Sequence, residues 1–153
     1  MMLLKRVKKF MKCPLEMKGF YIEAFFFLGV ARLLILLPFA RINKQFGVEK
    51  METSYSNIRL NKVQLKKIAH SVQLVSRHTP WKSLCFVQAI AAMKMLDRRA
   101  IESTLYFGTG KDRNGKLVAH AWLRSGDYYL TGAEVKHQFT VVEKFAKVQK
   151  KAL

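Results

Sequence analysis

The sequence predicts an α+β domain in which a buried helix precedes an antiparallel sheet and further helices come before both. The stretch from Leu84 to Met93 contains one strongly polar side chain, Gln88, as in a helix that is buried on most sides. After Arg99, three short runs follow the period of two residues that is typical of strands. With 153 residues, half of them apolar, the chain has the length of one domain and can form a hydrophobic core.

The chain divides into a lead region and a core. Residues 1–60 are predicted to form a basic lead, an apolar helix and a polar linker that pack on the core of residues 61–153. Within the lead region, residues 1–18 are rich in lysine and are interpreted as a mobile segment. Residues 41–61 are polar and contain Gly47 and a Thr-Ser-Tyr-Ser-Asn cluster, which is typical of a loop or linker.

The apolar helix is predicted over residues 20–37 and ends at Pro38. Its composition raises the alternatives of a signal peptide or a membrane span. Glu23 and Arg32 count against a span, because each costs about 2.5 to 3.5 kcal/mol at the centre of a bilayer. A helix that docks on the domain, or lies on a membrane surface, fits these residues better.

Two helices are predicted at the start of the core. The first ends at His78-Thr79-Pro80. Ser83 is the predicted N-cap of the second, which puts Cys85 in its first turn. Free backbone N–H groups and the helix dipole favour a thiolate there, although a cysteine in an apolar helix is also common as a plain core residue. The apolar face of the first helix is marked by residues spaced three or four apart: Leu65, Ile68, Ala69, Val72 and Val75.

The sheet is predicted as an antiparallel meander of three strands. His120 lies in the middle strand between two alanines, which leave room for an approaching group. A single histidine on a strand is also compatible with a purely structural role. The turn at Gly126 joins the second strand to the third. The predicted strands are Ser103–Thr109, Leu117–Arg124 and Tyr128–Thr131.

The residues around Cys85 and His120 together resemble one family. A cysteine at the start of a buried helix, followed by a histidine on an antiparallel strand, is the arrangement of papain-like and transglutaminase-like enzymes. The local sequence is similar to the standalone leader peptidase of lasso-peptide biosynthesis, a transglutaminase-like cysteine protease. The similar segments are Pro80-Trp81-Lys82-Ser83-Leu84-Cys85 with Gln88-Ala89, Ser103-Thr104-Leu105-Tyr106-Phe107-Gly108, Ala119-His120-Ala121-Trp122-Leu123, and Ala31-Arg32-Leu33-Leu34 with Leu37-Pro38-Phe39.

This resemblance implies that Cys85 is the nucleophile and His120 the base that later protonates the leaving amine. It also implies a precursor peptide with a leader as substrate, a separate leader-recognition protein, and an ATP-dependent macrolactam synthetase that closes the ring afterwards. The two cysteines, Cys13 and Cys85, do not suffice for a disulfide framework, so we expect a protein of the reducing cytoplasm.

The acidic third member of the site is predicted from the hairpin. Folding about Gly126 brings His120 near Gly132, which has no side chain to orient an imidazole. Glu134 is the nearest downstream carboxylate and is the predicted third residue, with Thr131 as a weaker alternative. Asp127 is rejected because about six strand residues, on the order of 20 Å, separate it from the histidine.

The charge of the chain indicates an acidic partner. Lysine and arginine number 28 against 10 acidic residues, a formal net charge of +18. An acidic leader or partner protein would be attracted to such a surface. The alternative function is a non-enzymatic basic protein that binds an acidic partner or an anionic membrane through Lys5–Lys12, Lys144–Lys151 and the apolar helix.

Several other classes of site lack a sequence signal. The four histidines and two cysteines do not have the spacing of a closed metal site, so no metal is expected. The glycines form no phosphate-binding loop, and no cofactor is expected. No nucleic-acid-binding motif is present, so nucleic acid is not expected as a partner.

Overall fold

The computed structural model describes residues 1–56 and 61–149. Within them the chain forms helices packed on one antiparallel sheet, which confirms the predicted α+β class. Asn57 of the predicted loop cluster, and Lys150 and Lys151 of the predicted basic segment, lie outside the described residues. The helices are α1 (Met2–Met11), α2 (Leu15–Leu34), α3 (Phe39–Ile42), α4 (Lys62–Ser76) and α5 (Cys85–Asp97), and the strands are β1 (Val48–Glu49), β2 (Ser103–Lys111), β3 (Leu117–Ser125), β4 (Tyr128–Thr131) and β5 (Thr140–Lys147).

The sheet has the strand order β1-β5-β2-β3-β4, and all neighbours are antiparallel. The meander β2-β3-β4 matches the prediction, and β4 has the predicted bounds. The sequence analysis missed β5, which adds to the other side of β2, so that Leu105 lies opposite Phe145. The short strand β1 then covers the outer edge of β5.

Helix α5 forms the centre of the core. Eight of its 13 residues are buried, as its nearly continuous apolar sequence predicts. It packs against α2, α4 and the sheet. From the sheet, Leu105, Ala121 and Leu123 are buried in the same hydrophobic cluster. The predicted stripe of α4 faces this cluster, with Leu65, Ile68 and Val72 fully buried and Ala69 and Val75 partly buried.

Helix α2 docks on the domain, and it begins earlier than the sequence predicts, directly after Pro14. Its buried stripe consists of Phe20, Ala24, Leu28 and Ala31. Glu23 points to the end of α5, and both of its oxygens accept hydrogen bonds from Arg99, just after that helix, at 2.8 and 2.7 Å. Among the described residues, no helix is both long enough and apolar enough to cross a membrane.

Two of the segments that were predicted to be irregular are ordered. The basic lead, predicted to be mobile, forms α1, because its apolar and basic side chains alternate with helical spacing and separate onto two sides. The predicted linker after Arg41 contains a 3-10 turn and β1, and Phe46 within it is completely buried in the core. The linker therefore belongs to the packed domain, because its few apolar residues reach the core.

A buried arginine joins the segment after β1 to the sheet by hydrogen bonds. Arg124 on β3 is fully buried, and its guanidinium donates to the carbonyl oxygens of Thr53 at 2.8 Å and Gly126 at 2.6 Å. Its Nε donates to the hydroxyl of Tyr106 at 2.8 Å, and the ring of Tyr55 covers it at 3.6 Å. Burial raises the pKa of the Tyr106 phenol, which therefore stays neutral. Carbonyl and hydroxyl oxygens thus satisfy this cation in place of a carboxylate.

We expect the pair of Glu23 and Arg99 to stabilise the packing of α2 on α5. Glu23→Gln keeps the volume but removes the charge, and it should lower the free energy of unfolding by about 2 kcal/mol, because charged hydrogen bonds in a poorly solvated place are lost. The Glu23 side chain is 11% exposed, whereas that of Glu16, which pairs with Lys67, is 64% exposed. Glu16→Gln is therefore the control, with an expected change within about 0.5 kcal/mol. Equal losses in urea unfolding monitored by circular dichroism would contradict the prediction.

Candidate active site

Cys85 lies in the first turn of α5, where it is the first residue, because the helix begins one residue later than the predicted N-cap implies. The N-cap residue is Leu84, which makes no side-chain capping bond. Ser83, the predicted cap, instead shares a hydrogen bond of 2.8 Å with the hydroxyl of Thr79. Cys85 is half-buried and forms no disulfide. The start of the helix therefore leaves its first backbone N–H groups next to the thiol.

His120 lies on β3 and is held by a backbone carbonyl and two aromatic rings. Its Nε2 is 2.8 Å from the carbonyl oxygen of Gly132. The imidazole stacks on Phe139 at 4.9 Å and on Trp122 at 5.8 Å between ring centroids. Because a carbonyl oxygen only accepts hydrogen bonds, Nε2 must carry a proton. The neutral ring then has its lone pair on Nδ1, which is the nitrogen able to take a proton.

Gly132 corrects the sequence analysis, which dismissed this residue because it has no side chain. Its backbone carbonyl oxygen orients the imidazole of His120. Gly132 adopts a left-handed conformation with φ of +71°, and a Cβ atom there would lie 2.9 Å from His120 Nε2 and 2.5 Å from the carbonyl oxygen of Ala121. Only glycine fits this conformation in so confined a place. The close approach to the imidazole therefore depends on the absence of a side chain.

The sheet opens next to His120. Strand β4 pairs with β3 only between Leu123 and Ser125 and then turns away at Gly132. His120 shares one sheet face with Trp122, whereas Ala121 points to the core on the α5 side. In the part of the chain that the structure describes, no strand pairs with β3 on this side at His120, and the space there extends to Cys85 at the start of α5.

A cavity of about 630 Å³ occupies this space, which we call the site cavity. Cys85 and His120 both line this cavity, although no hydrogen bond joins the two side chains in the described structure. Such bonds are often long or absent before substrate binds. The side chains that matter for the chemistry of the site cavity are Lys66, Arg77, Cys85, Gln88, His120 and Glu134.

Comparison with known proteins assigns the family. Residues 28–144 match the model of the Transglutaminase-like superfamily. The chain belongs to this superfamily. Comparisons with curated proteins and with solved structures gave no match. The matched segment contains both Cys85 and His120, and it extends from α2 to β5.

The candidates for a third residue of this transglutaminase-like site lie at different places. Glu134 lines the site cavity but makes no hydrogen bond to His120 among the described residues, where the Gly132 carbonyl holds Nε2. The side chain of Thr131 is buried at the wall of the site cavity, and its hydroxyl has no hydrogen-bond partner in the described part of the chain. Asp127 lies away from the site cavity, 2.8 Å from Lys62, whose hydrogen bond lowers the pKa of the aspartate carboxyl. Its rejection agrees with this position.

The sequence analysis did not assign several polar residues of the transglutaminase-like site. Gln88 lines the site cavity and donates from Nε2 to the carbonyl oxygen of Ser83 at 2.8 Å, which fixes its amide. Lys66 and Arg77 reach the site cavity from α4, where the helical pattern alone suggests only a solvated face. Glu134 is the one carboxylate among the lining residues within the described ranges. The site cavity is therefore predominantly basic.

Over residues 1–56 and 61–149, no three side chains of histidine, cysteine, aspartate or glutamate stand close enough together to hold a metal ion. Two histidines line the site cavity, His70 and His120, and His120 makes its hydrogen bond to a backbone carbonyl. The geometry at Cys85 and His120 is thus that of a thiol and a base.

We predict that the Gly132 carbonyl sets the tautomer of His120. In ¹⁵N NMR spectra, the neutral ring should carry its proton on Nε2, and Gly132→Ala should abolish this preference because the added methyl group collides with the imidazole. Gly115→Ala is a matched control: Gly115 has a similar φ of +75° but nothing within 4 Å of an added Cβ. Both variants bear a backbone strain of roughly 1 to 2 kcal/mol. Unchanged His120 signals in Gly132→Ala would contradict the assignment.

Proposed function

We propose that this protein is a cysteine peptidase that removes the leader peptide from the precursor of a lasso peptide. The observation that supports peptidase chemistry best is the common site cavity of Cys85 and His120, with the imidazole tautomer fixed by Gly132. The assignment to lasso-peptide precursors rests on the local sequence around these two residues. The superfamily match makes a thiol-dependent acyl transfer the natural chemistry of the site.

The reaction begins with the thiol of Cys85. His120 Nδ1 accepts the thiol proton, and the sulfur attacks the carbonyl carbon of the scissile peptide bond. As the carbon–nitrogen bond breaks, the imidazolium returns this proton to the leaving amine, and the leader remains on the enzyme as a thioester. Water activated by the same nitrogen then hydrolyses the thioester. The products are a leader that ends in a carboxylate, free Cys85 and a core peptide with a new amino group.

The start of α5 supplies the charge stabilisation that this reaction needs. The N–H groups of the first helical turn, at Cys85, Phe86 and Val87, precede the first intrahelical bond, in which the N–H of Gln88 donates to Leu84. Such groups stabilise an oxyanion next to the nucleophile. The Gln88 amide keeps one N–H in addition to the one it donates to Ser83. In this proposal that N–H donates to the same oxyanion or to the substrate backbone.

The acidic residue Glu134 acts on the imidazolium through its charge. It is the one carboxylate that lines the site cavity in the described structure, and the imidazole becomes positive when it takes the thiol proton. A nearby negative charge stabilises that state even without a hydrogen bond. In this proposal Cys85, His120 and Glu134 form the catalytic set, with the Gly132 carbonyl in the orienting role.

The basic surroundings favour an acidic leader. Lys66 and Arg77 line the site cavity, and the chain as a whole carries a net charge of +18. The proposal includes a separate leader-recognition protein that presents the precursor. It also includes an ATP-dependent macrolactam synthetase that uses the newly exposed amino group. The enzyme works in the reducing cytoplasm, where the thiol of Cys85 stays free.

The nucleophile is tested by thiol labelling and cleavage together. Cys85→Ala should lower peptide cleavage by a factor on the order of 10⁴ or more, because the thioester can no longer form. Cys13→Ala is the control, since this second free cysteine lies away from the site cavity. A precursor-type peptide with an acidic leader serves as substrate, and mass spectrometry records the products. In the native protein, iodoacetamide near neutral pH should label Cys85 before denaturation.

The same experiment in ¹⁸O-water separates hydrolysis from transfer to an amine. Hydrolysis places ¹⁸O in the new carboxyl group of the leader, whereas transfer to an added primary amine produces an amide. Cleavage that persists in Cys85→Ala would contradict the mechanism. An unreactive Cys85 together with absent cleavage would favour the non-enzymatic alternative, in which the protein binds an acidic partner through its charge.

We expect Glu134→Gln to lower the cleavage rate roughly tenfold, equivalent to about 1.4 kcal/mol, because the imidazolium loses a nearby charge. The free energy of unfolding should not change. Asp127→Asn is the matched control, because Asp127 is paired with Lys62 outside the site cavity. If Glu134→Gln has the kinetics of the unmodified protein, Glu134 is not part of the catalytic set.

A further inference from the structure

A large share of the exposed apolar surface is concentrated on one part of the molecule. Of the 25 large apolar side chains that are exposed in the described residues, 15 lie between Met1 and Phe39. Isolated exposed apolar residues are common, but a concentration of this kind marks a surface that binds something. The two helices that carry most of these residues are α1 and α2.

Helix α1 is amphipathic and has no buried residue. Its apolar side chains follow the three- and four-residue spacing of one helical face and are mostly exposed, and its lysines and arginine occupy the rest of the circumference. The helix is attached near its end, where Lys18 Nζ donates to the carbonyl oxygen of Met11 at 2.9 Å and Phe10 contacts Tyr21 at 6.4 Å between ring centroids. The apolar face consists of Leu3, Leu4, Val7, Phe10 and Met11.

Helix α2 is apolar on two opposite sides. One side is the buried stripe from Phe20 to Ala31, which packs on α4 and α5. The other side points outward. Its exposed side chains are separated by 7, 4 and 7 residues, which places them on one helical face: Leu15, Ile22, Phe26 and Leu33. The docking of α2 on the core accounts for the first side only. The second side has no partner among the described residues.

The two apolar faces belong to one surface. A groove of about 900 Å³ separates α1 from α2 and α4, and its lining includes Phe10 from α1 and both Ile22 and Phe25 from α2. Arg6, Lys9 and Lys12 stand along the same groove. We call this region the α1–α2 surface; it comprises the apolar face of α1, the outward side of α2 and the basic residues of α1.

The charge of this region identifies its partner as anionic. Residues 1–41 contain eight lysines and arginines against two glutamates. Both glutamates are neutralised within the fold, Glu16 by Lys67 and Glu23 by Arg99. The cations of α1 therefore face outward without nearby carboxylates of their own.

We infer that the α1–α2 surface docks the protein on an anionic lipid bilayer. A helix with an apolar face and a lysine-rich polar face lies in the interface of a membrane, with its apolar side chains among the acyl chains and its lysines at the headgroups. Lysines near an anionic surface add an electrostatic attraction that salt screens. The outward leucine and phenylalanine side chains of α2 extend the same apolar contact. None of the residues that line the site cavity also lines the groove of the α1–α2 surface.

The experiment uses flotation of the full chain with vesicles of phosphatidylcholine, alone or mixed with phosphatidylglycerol. Binding to the mixed vesicles should exceed binding to the neutral ones at least about tenfold and should decrease with salt. The double variant Leu4→Asp/Phe26→Asp should lose binding. The double variant Val63→Asp/Leu117→Asp is the matched control, because these side chains are similarly exposed, at 61% and 69% against 65% and 62%, but lie elsewhere.

A second pair of variants tests the charge. Lys5→Glu/Lys9→Glu should abolish the preference for anionic vesicles, whereas Lys111→Glu/Lys116→Glu, on the hairpin between β2 and β3, should preserve most of it. Fluorescence provides a readout of depth. The added emission of Phe26→Trp should shift to shorter wavelength with mixed vesicles, and that of Leu117→Trp should not.

Three outcomes would overturn the inference. Equal binding to both kinds of vesicle would show that the charge is not recognised. Equal loss in the Lys111→Glu/Lys116→Glu variant would show that net charge alone, and not this surface, is responsible. A dimer in the absence of lipid that Phe26→Asp converts to a monomer would identify the surface as a contact between two copies of the chain. Peptide cleavage in solution is measured alongside, so that failure of membrane binding is separate from failure of the proposed peptidase activity.

Discussion

The burial of α5 is the constraint on which the rest of the molecule depends. A helix whose side chains are apolar on nearly all sides must be covered all round, and here α2, α4 and the sheet cover it. Its first turn is the part that stays accessible, because Cys85 is half-buried whereas the residues that follow from Val87 are mostly buried. The same packing that builds the core therefore presents a thiol at a helix start, next to free N–H groups.

The geometry of the imidazole depends on a second constraint, at Gly132. Strand β4 must leave β3 at this residue for the site cavity to exist, and the left-handed turn that it makes points a carbonyl oxygen at His120. A carboxylate in this position would both orient and neutralise an imidazolium, whereas a carbonyl only orients it. In the proposed mechanism the two tasks are divided between a backbone oxygen and Glu134, which lines the same site cavity.

The sequence predicts the elements and site residues that have a local sequence pattern. It does not predict those that depend on contacts between residues far apart in the chain. The positions of Cys85 and His120 were predictable because each is flanked by a characteristic short segment. Strand β5 was missed, since Glu143, Lys144 and Lys147 interrupt its apolar pattern. Its lysines pair with Glu52 at 3.2 Å and Asp97 at 3.7 Å, so they are not simply a basic tail. In the sequence, Arg124 resembles a surface residue. Its burial depends on an acceptor 71 positions away, the carbonyl oxygen of Thr53, which local sequence does not reveal.

Helix α2 has two apolar sides, of which one packs on the core and the other points outward. A stretch this apolar resembles a membrane span, but Glu23 within it is directed to Arg99, which follows the end of α5, and the buried stripe from Phe20 to Ala31 faces the core. Once that side is fixed, the periodicity of the helix leaves Ile22, Phe26 and Leu33 pointing outward. The partly buried ion pair and the buried stripe thus hold α2 in one orientation on the core, which leaves the outward apolar stripe exposed. A helix of this kind cannot reduce its exposed apolar area by rotating, because rotation would bury neither stripe fully and would break the ion pair.

The outward stripe is therefore a consequence of how α2 docks on the core. A partner with an apolar interior and an anionic surface is the environment that suits both α2 and its basic neighbour α1.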